Sequence, residues 1–285
     1  MTQWRLILDP PRPGPLNMAA DEALMQAQGD ADRLPTIRLY SWQPACVSIG
    51  YFQRAGGEVD LEACAQAGVD VVRRPTGGRA VLHDDEITYS VTIRQELLPG
   101  GVLETYQRLS QGILQGLRYL GIEGELARLT HQSRSSGPES AATSPRAETA
   151  GGSRAACFDS PSWYETLVGG RKIIGSAQTR AAGVILQHGS LLLSFAAEPL
   201  AALLRAPSAA ARARLARHLD RRVTSVSEQL GRRPRPGEVE GALADGIAAA
   251  LGVSIVRGGY SDRELLLTQQ LCEHKYATER WTMRR

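Results

Sequence analysis

The chain of 285 residues has few of the residue types that mark several classes of protein. Its four cysteines and five histidines are scattered, with no C-x-x-C pair and no H-E-x-x-H motif. This scarcity argues against a disulfide framework and a structural metal site, and it fits a reducing compartment. No apolar run approaches the roughly 18 residues that a membrane span requires. We therefore expect no metal, no disulfide and no membrane-spanning segment.

Net charge and aromatic content are also low. The formal net charge is +3, and aromatic residues make up 5% of the chain. No aromatic residues are interleaved in the arginine-rich run between Arg205 and Arg235, so the usual pattern of a nucleic-acid-binding surface is missing there. The N-terminal segment has only a short apolar stretch before an aspartate and prolines, which is not a signal-peptide pattern. The chain is expected to be cytoplasmic and to have no nucleic-acid partner.

What the chain does contain is a mixture of strand and helix patterns. In the first 95 residues, short apolar runs alternate with turn signals and two helical segments, which indicates a mixed α/β core. The first helix is predicted to begin with Asn17 as its N-cap. A clearer amphipathic helix is predicted from Val102 to Leu120, ended by Gly121. Three strands are predicted further along, separated by turns at Gly169-Gly170 and Ala182-Gly183.

The second half of the chain suggests a division near residue 194. We predict a catalytic module over residues 1–194 and a helical C-terminal part, residues 195–285, packed on it. The last helix is expected to begin at a capping box whose N-cap is Ser261. Residues 131–154 contain no aliphatic side chain larger than alanine. They are predicted to form a mobile loop, either controlling access to a site or merely a tolerated insertion.

One cysteine and one lysine stand out by their spacing. Cys157 lies in the segment ACFDSPSWYE, fifteen residues before Lys172, which opens a glycine-containing strand. A thiolate close to an ammonium group or to backbone N–H donors can carry an acyl group without a nucleotide or a metal. Cys157 is therefore the candidate nucleophile. The alternative is that Cys157 is a small buried side chain and Lys172 a surface charge.

A second informative segment is RRPTGGRAVLHD, which begins at Arg73. Its paired Gly77 and Gly78 let the backbone approach a ligand and present N–H donors, since no Cβ stands in the way. A plain tight turn between two strands is the alternative explanation. Likewise, His83 is either a site residue or a core histidine with satisfied hydrogen bonds.

Taken together, RRPTGGRAVLHD, GRKIIGSAQ and QHGS resemble the lipoate-protein ligase and octanoyltransferase family, which shares a catalytic module with the biotin ligases. The resemblance covers most of the chain. It implies an α+β fold, a biotin/lipoate protein ligase-like mixed sheet flanked by helices, with a short helical C-terminal extension. The cysteine in ACFDSPSWYE, with Arg79 after the glycine pair, is similar to the cysteine-dependent octanoyltransferases. ATP-dependent ligases of the family more often have a third glycine at the arginine position.

The resemblance also implies a reaction and a set of site residues. Octanoyl would move from octanoyl-acyl carrier protein through a Cys157 thioester to the lysine of a lipoyl domain, such as that of glycine cleavage protein H. Lys172 would bind the acyl carbonyl. No cofactor is expected, because a thioester donor is already activated. The substrate-binding residues implied are Arg73, Gly77, Gly78, Arg79, His83, Gly175, Ser176, Ala177 and His188.

Three other functions remain open from the sequence. Two are reactions on the same fold, an ATP-dependent lipoate-protein ligase and an octanoyl amidotransferase that works between lipoyl domains. The third is a nucleic-acid-binding module, because arginines are concentrated between Arg205 and Arg235. That segment is otherwise a solvated helix face or a docking surface for an acidic partner. We expect a monomer, because no long exposed apolar stripe remains after the core helices are assigned.

Overall fold

The computed structural model describes residues 2–29, 33–128 and 164–284. Cys157 and the predicted loop 131–154 lie outside the described residues. The strands are β1 (Gln3–Leu8), β2 (Thr36–Tyr40), β3 (Cys46–Ile49), β4 (Asp70–Arg73), β5 (Val81–His83), β6 (Glu86–Arg94), β7 (Glu125–Arg128), β8 (Tyr164–Val168), β9 (Arg171–Ala181), β10 (Val184–Leu192) and β11 (Ser254–Arg257). The α-helices are α1 (Gly14–Ala27), α2 (Ala55–Glu58), α3 (Leu61–Gln66), α4 (Val102–Tyr119), α5 (Ala197–Ala202), α6 (Ala209–Arg222), α7 (Val226–Leu230), α8 (Pro236–Leu251), α9 (Asp262–Leu271) and α10 (Glu279–Thr282). A 3₁₀ turn (Gln95–Leu97) and a π-helical turn (Cys272–Tyr276) complete the elements.

The architecture is two sheets flanked by helices. Eight strands form one mixed sheet in the order β11-β1-β2-β6-β10-β9-β8-β7, and three form a small sheet in the order β4-β3-β5. In the large sheet β1 is parallel to both of its neighbours, whereas the pairs from β2 to β7 are antiparallel. The predicted α+β fold is confirmed.

Helices α4 and α8 cover one face of the large sheet, and the main hydrophobic core lies between these helices and the sheet. Leu109, Ile113 and Leu117 of α4 are buried against aliphatic side chains of the sheet. They recur at the i, i+4, i+8 spacing of one helix face, which is why this segment was predictable. The predicted helix is confirmed, and Gly121 after it adopts a φ of +79°, the left-handed conformation that ends helices.

The other face of the large sheet carries α1 and the small sheet. The prediction that Asn17 caps α1 is wrong. The helix begins at Gly14, with Pro13 as N-cap. A second proline, Pro15, lies in the first turn, where backbone N–H groups have no acceptor within the helix, so its missing N–H loses no hydrogen bond. Asn17 lies inside the helix, fully buried, where its amide donates to the carbonyl oxygens of Arg12 and Ser41. Its side chain is thus used for tertiary contacts rather than for capping.

The predicted turns of the second half are confirmed. Gly169 and Gly170, between β8 and β9, have φ values of +56° and +75°, as a two-residue hairpin turn requires. Ala182 and Gly183, between β9 and β10, also have positive φ. The capping box at Ser261 is present, with Glu264 completing it.

The predicted division at residue 194 stays a prediction. On its C-terminal side, β11 joins the large sheet beside β1, and α8 packs along α4. None of the helices in the described part of the chain combines the length and apolar character needed to cross a membrane.

The contact between α4 and α8 depends on glycines, which gives a stability prediction. A Cβ on Gly246 would lie 2.2 Å from the backbone nitrogen of Gly116 and 2.6 Å from the carbonyl oxygen of Gly112. Gly246→Ala is therefore expected to lower the free energy of unfolding by about 1–3 kcal/mol, because the helices must move apart. Urea denaturation measures this. Gly241→Ala in the same helix, with nothing near its Cβ, should instead stabilise by a few tenths to about 1 kcal/mol. Equal effects of the two variants would refute the close packing.

Candidate active site

A cleft lies between the large sheet and the small one, and its empty space, counted out to open solvent, is about 500 Å³. Its walls combine apolar side chains with a few polar ones. Six of the residues predicted from sequence line it: Gly78, His83, Gly175, Ser176, Ala177 and His188.

The register between β9 and β10 brings Gly175, Ala177 and His188 together. Ala177 of β9 pairs with His188 of β10, and Gly175 pairs with Ser190. The glycine between the two β10 residues is required by close packing. A Cβ on Gly189 would lie 2.4 Å from Ser176 Oγ and 2.8 Å from the carbonyl oxygen of Gly175. The strand therefore approaches its neighbour here without side chains filling the cleft.

The turn at Gly77 and Gly78 packs closely against another part of the backbone. Gly78 has a φ of +100°, a conformation that favours glycine, and its carbonyl oxygen would be 2.0 Å from a Cβ on Gly50. The loop after β3 thus packs directly on the glycine turn. Gly78 lines the cleft, but its neighbours Gly77 and Arg79 do not. Arg79 instead forms an ion pair with Glu58 in a neighbouring surface depression.

Arg73 lies outside the cleft. Its guanidinium is fully buried and donates to five backbone carbonyls. Three of them belong to the loop after β3, and two belong to Trp281 and Thr282 in α10. Trp281 Nε1 donates in turn to the Arg73 carbonyl over 2.9 Å. Arg73 therefore ties the C-terminal helix to the loop that supports the glycine turn.

A β-bulge orients Lys172. Lys172 pairs with Leu167 and Ile174 pairs with Thr166, so β9 has one extra residue between them. An extra residue reverses the alternation of side chains, and Lys172 consequently faces the opposite side from Ile174, which is in the α4 core. This is the side of the sheet on which Gly175 lies, but Lys172 is not among the residues that line the cleft. Lys172 is buried, and its Nζ is 2.9 Å from Glu165 Oε1.

Behind the cleft, His188 links Asp21 to a buried threonine. His188 Nδ1 is 3.2 Å from Asp21 Oδ2, and Nε2 is 2.7 Å from Thr76 Oγ1. Burial lowers the pKa of His188, and the hydrogen bond and charge of Asp21 raise it by less. The imidazole ring is therefore neutral at neutral pH. Because a carboxylate only accepts, Nδ1 donates to Asp21 and Nε2 accepts from the hydroxyl. Burial alone would raise the pKa of Asp21, but the hydrogen bond from His188 and the charge of Arg38 hold it below its usual value.

His83 is placed in the same way on the other side of the cleft. Its Nδ1 is 2.8 Å from Glu86 Oε1, and its Nε2 is 2.7 Å from Ser48 Oγ. Its ring stacks on Trp42, with centroids 4.0 Å apart. The alternative that His83 is a histidine with satisfied hydrogen bonds is therefore correct as far as its bonding goes, although the ring also lines the cleft.

Sequence reasoning missed the partners of both histidines. Asp21, Ser48, Thr76 and Glu86 are all buried polar side chains. One signal in the sequence could have indicated a polar sheet face. Thr88, Ser90 and Thr92 alternate with apolar residues along β6, and this period of two places them on one face.

The described cysteines are poor candidates for a thiolate. Burial raises the pKa of Cys46 well above its ordinary value, and burial raises that of Cys64 to about 11. Burial and Glu273 raise the pKa of Cys272. Among the described residues, no group of three or more histidine, cysteine or carboxylate side chains is arranged to hold a metal ion.

Comparisons with known proteins agree on one family. The family model described as the lipoyl protein ligase A/B catalytic domain matches residues 13–248. The octanoyltransferase LipM of Symbiobacterium thermophilum is 46% identical over 100% of this chain and 99% of its own length. LipM of Bacillus subtilis is 39% identical over 99% of this chain and 98% of its own.

Solved structures agree with these sequence matches. The bi-partite lipoate protein ligase of Thermoplasma acidophilum superposes with a TM-score of 0.80 at 25% identity, covering 99% of this chain and 97% of that chain. Lipoate-protein ligase A bound with ATP gives a TM-score of 0.78 at 25% identity, covering 99% of this chain and 98% of that chain. The chain belongs to the lipoyl protein ligase A/B catalytic domain family and, within it, to the octanoyltransferases.

Proposed function

We propose that the protein is a cytoplasmic, monomeric enzyme that moves octanoyl from octanoyl-acyl carrier protein to the lysine of a lipoyl domain, such as that of glycine cleavage protein H. A thioester on Cys157 is the intermediate. One observation carries the proposal: β9 bears both Lys172, which the bulge turns to the same side of the sheet as Gly175, and the Gly175–Ala177 segment of the cleft wall. The full-length similarity to octanoyltransferases supports the same reaction.

The first half-reaction exchanges one thioester for another. The Cys157 thiolate attacks the acyl carbon of the donor, a new carbon–sulfur bond forms, and the donor thiol leaves with the electron pair of the old bond. Because the two thioesters have similar energy, no ATP is required. The ammonium of Lys172 donates a hydrogen bond to the acyl oxygen as negative charge develops on it. Glu165 holds that ammonium in place.

The second half-reaction forms an amide. The acceptor amine attacks the acyl carbon, a carbon–nitrogen bond forms, and the carbon–sulfur bond breaks to return the Cys157 thiolate. Amide formation from a thioester is strongly downhill, so the site mainly has to position the amine and accept its proton. Splitting the reaction in this way gives ping-pong kinetics and lets the two partner proteins use overlapping surfaces.

The cleft walls suit an alkyl chain. Met18, Tyr40, Trp42 and Val81 supply apolar surface. Each buried methylene contributes about 0.8 kcal/mol, so an eight-carbon chain gains several kcal/mol of binding. The polar groups of the cleft then need to recognise only the carbonyl end.

Intact-protein mass spectrometry tests the proposal. The protein is incubated with octanoyl-acyl carrier protein in the absence of ATP. We expect one octanoyl group on the protein, removed by hydroxylamine as a thioester is. Formation of an acyl-adenylate from ATP and free octanoate, with no adduct from the carrier protein, would instead indicate a ligase. An adduct formed only from an octanoylated lipoyl domain would indicate the amidotransferase.

The basic face of α6 is the proposed docking surface for the acidic carrier protein. Arg212, Arg214 and Arg217 are exposed on this helix. The helix leads directly to the site, because the backbone nitrogen of Thr224 donates to the Lys172 carbonyl over 2.9 Å. A partner bound on α6 is therefore held near Lys172.

Charge reversal on α6 tests this surface. Replacing Arg212, Arg214 and Arg217 by glutamate is expected to raise KM for the octanoyl-acyl carrier protein by about tenfold or more while kcat changes little, because favourable charge pairs become repulsive. Steady-state kinetics with varied carrier protein measures this. Arg118→Glu on α4 is the control and should leave KM unchanged. An unchanged KM in the triple variant would remove α6 from the docking surface.

A further inference from the structure

Two carboxylate–imidazole–hydroxyl chains each place a histidine ring on the wall of the same cleft. One joins Asp21, His188 and Thr76, and the other joins Glu86, His83 and Ser48. In both, the carboxylate accepts from Nδ1 and the hydroxyl faces Nε2. This is the arrangement in which an imidazole takes a proton from the hydroxyl side while the carboxylate holds the ring.

Charge balance separates the two chains. Arg38 lies 2.8 Å from Asp21 Oδ1, so the negative charge of Asp21 is already paired. A proton added to His188 would leave excess positive charge in a buried site. Glu86 has no Arg or Lys ion pair among the described residues, and its buried Oε2 has no hydrogen-bond partner there. A proton added to His83 would lie directly against the Glu86 carboxylate, which offsets its charge beside the buried guanidinium of Arg74 at Ser48.

Access to the cleft favours the same chain. Ser48 and Thr76 are both fully buried, but Ser48 and His83 line the cleft and Thr76 does not. The direction of the Ser48 hydroxyl is also set. Arg74 Nη1 donates to Ser48 Oγ over 3.1 Å, which leaves the hydroxyl proton pointing to His83 Nε2. Ser48 Oγ can therefore accept a new proton as it passes its own to the imidazole.

We propose that the Ser48–His83–Glu86 chain accepts the proton of the attacking lysine amine in the second half-reaction, an inference that rests on the proposed function. As the carbon–nitrogen bond forms and the carbon–sulfur bond breaks, the amine proton moves to Ser48 Oγ and the Ser48 proton moves to His83 Nε2. The electron pair of the broken bond stays on the cysteine sulfur as thiolate. The imidazolium is held against Glu86 until it loses its proton to solvent.

Single-turnover kinetics on the preformed octanoyl-protein adduct test this chain. The wild type, Ser48→Ala and His83→Gln are each loaded from octanoyl-acyl carrier protein, and the loading rate is recorded. Each adduct is then mixed with the apo lipoyl domain or with hydroxylamine, a weakly basic nucleophile whose adduct is acidic enough to lose its proton to water without a base from the protein. The control is Ser227→Ala, whose buried hydroxyl has no partner among the described residues.

We expect both cleft variants to transfer octanoyl to the lysine about 100-fold more slowly than the wild type, the lower end of the effect of a general base. Loading, hydroxylamine cleavage and every step of Ser227→Ala should be unchanged. Lysine acylation at the wild-type rate in both variants would overturn the inference, and so would equal slowing of loading, hydroxylamine cleavage and acylation. A wild type that loads no octanoyl would instead overturn the proposed function, and this inference with it.

Discussion

Replacing Cys157 by serine is expected to abolish the octanoyl adduct and to reduce octanoyl transfer by about 10³-fold or more. A thiolate is both the attacking group and the leaving group of the proposed reaction, and a serine hydroxyl is ionised far less at neutral pH. Moreover, an ester on serine is a less activated acyl donor than a thioester. The measurements are intact mass after exposure to octanoyl-acyl carrier protein and the rate of lipoyl-domain octanoylation.

The control for this substitution is Cys272→Ser. Cys272 is partly exposed, and its pKa is raised by burial and by Glu273, so its thiol is protonated at neutral pH. Its replacement should leave both the adduct and the transfer rate unchanged. A full adduct on the Cys157→Ser protein would contradict the assignment of the nucleophile, and loss of the adduct from Cys272→Ser would move the assignment to that residue.

Replacing Asp21 by alanine is expected to lower the free energy of unfolding by about 3–5 kcal/mol, the range for breaking a buried ion pair. Asp21 is fully buried and accepts hydrogen bonds from Tyr40, Ser90 and Arg38 as well as from His188. Its removal leaves the fully buried Arg38 with less compensating charge. Urea denaturation at pH 7 measures the loss.

Asp245→Ala is the matched control, because Asp245 is an exposed aspartate on α8. It should change the free energy of unfolding by no more than about 0.5 kcal/mol. A loss below about 1 kcal/mol for Asp21→Ala would show that the buried network around Arg38 is maintained without the carboxylate.

The same carboxylate gives the fold a pH dependence. The folded-state pKa of Asp21 lies below the ordinary aspartate value of 3.8, so folding favours the ionised form. Its contribution to stability is therefore fully present above the unfolded pKa and is lost as the pH falls through the lower, folded-state pKa. Acid titration of the wild type should show a stability loss in this range that is absent from Asp21→Ala.

Several elements were predictable because their causes lie within a few residues of sequence. The two glycines at 169 and 170 permit the positive φ of a hairpin turn, and the apolar spacing of α4 describes one buried helix face. The capping box at Ser261 is a contact between residues three positions apart. Local causes of this kind are visible in the sequence, and these predictions are confirmed.

The prediction for Asn17 failed for the opposite reason. An asparagine near a helix start is a favourable N-cap in isolation. Here, tertiary contacts with Ser41 and Arg38 use its side chain instead. A local preference worth about 1 kcal/mol is easily overridden by burial in a polar network.

The sequence by itself determined the family, the α+β class and six of the residues that line the cleft, because short motifs and strand patterns carry that information. Tertiary structure alone decided how these residues work. The bulge that turns Lys172 depends on the pairing of two strands, and Asp21 and His188 meet although 167 positions separate them. Only the packed fold removes water from such groups and specifies their partners, so their charge states and roles follow from the fold.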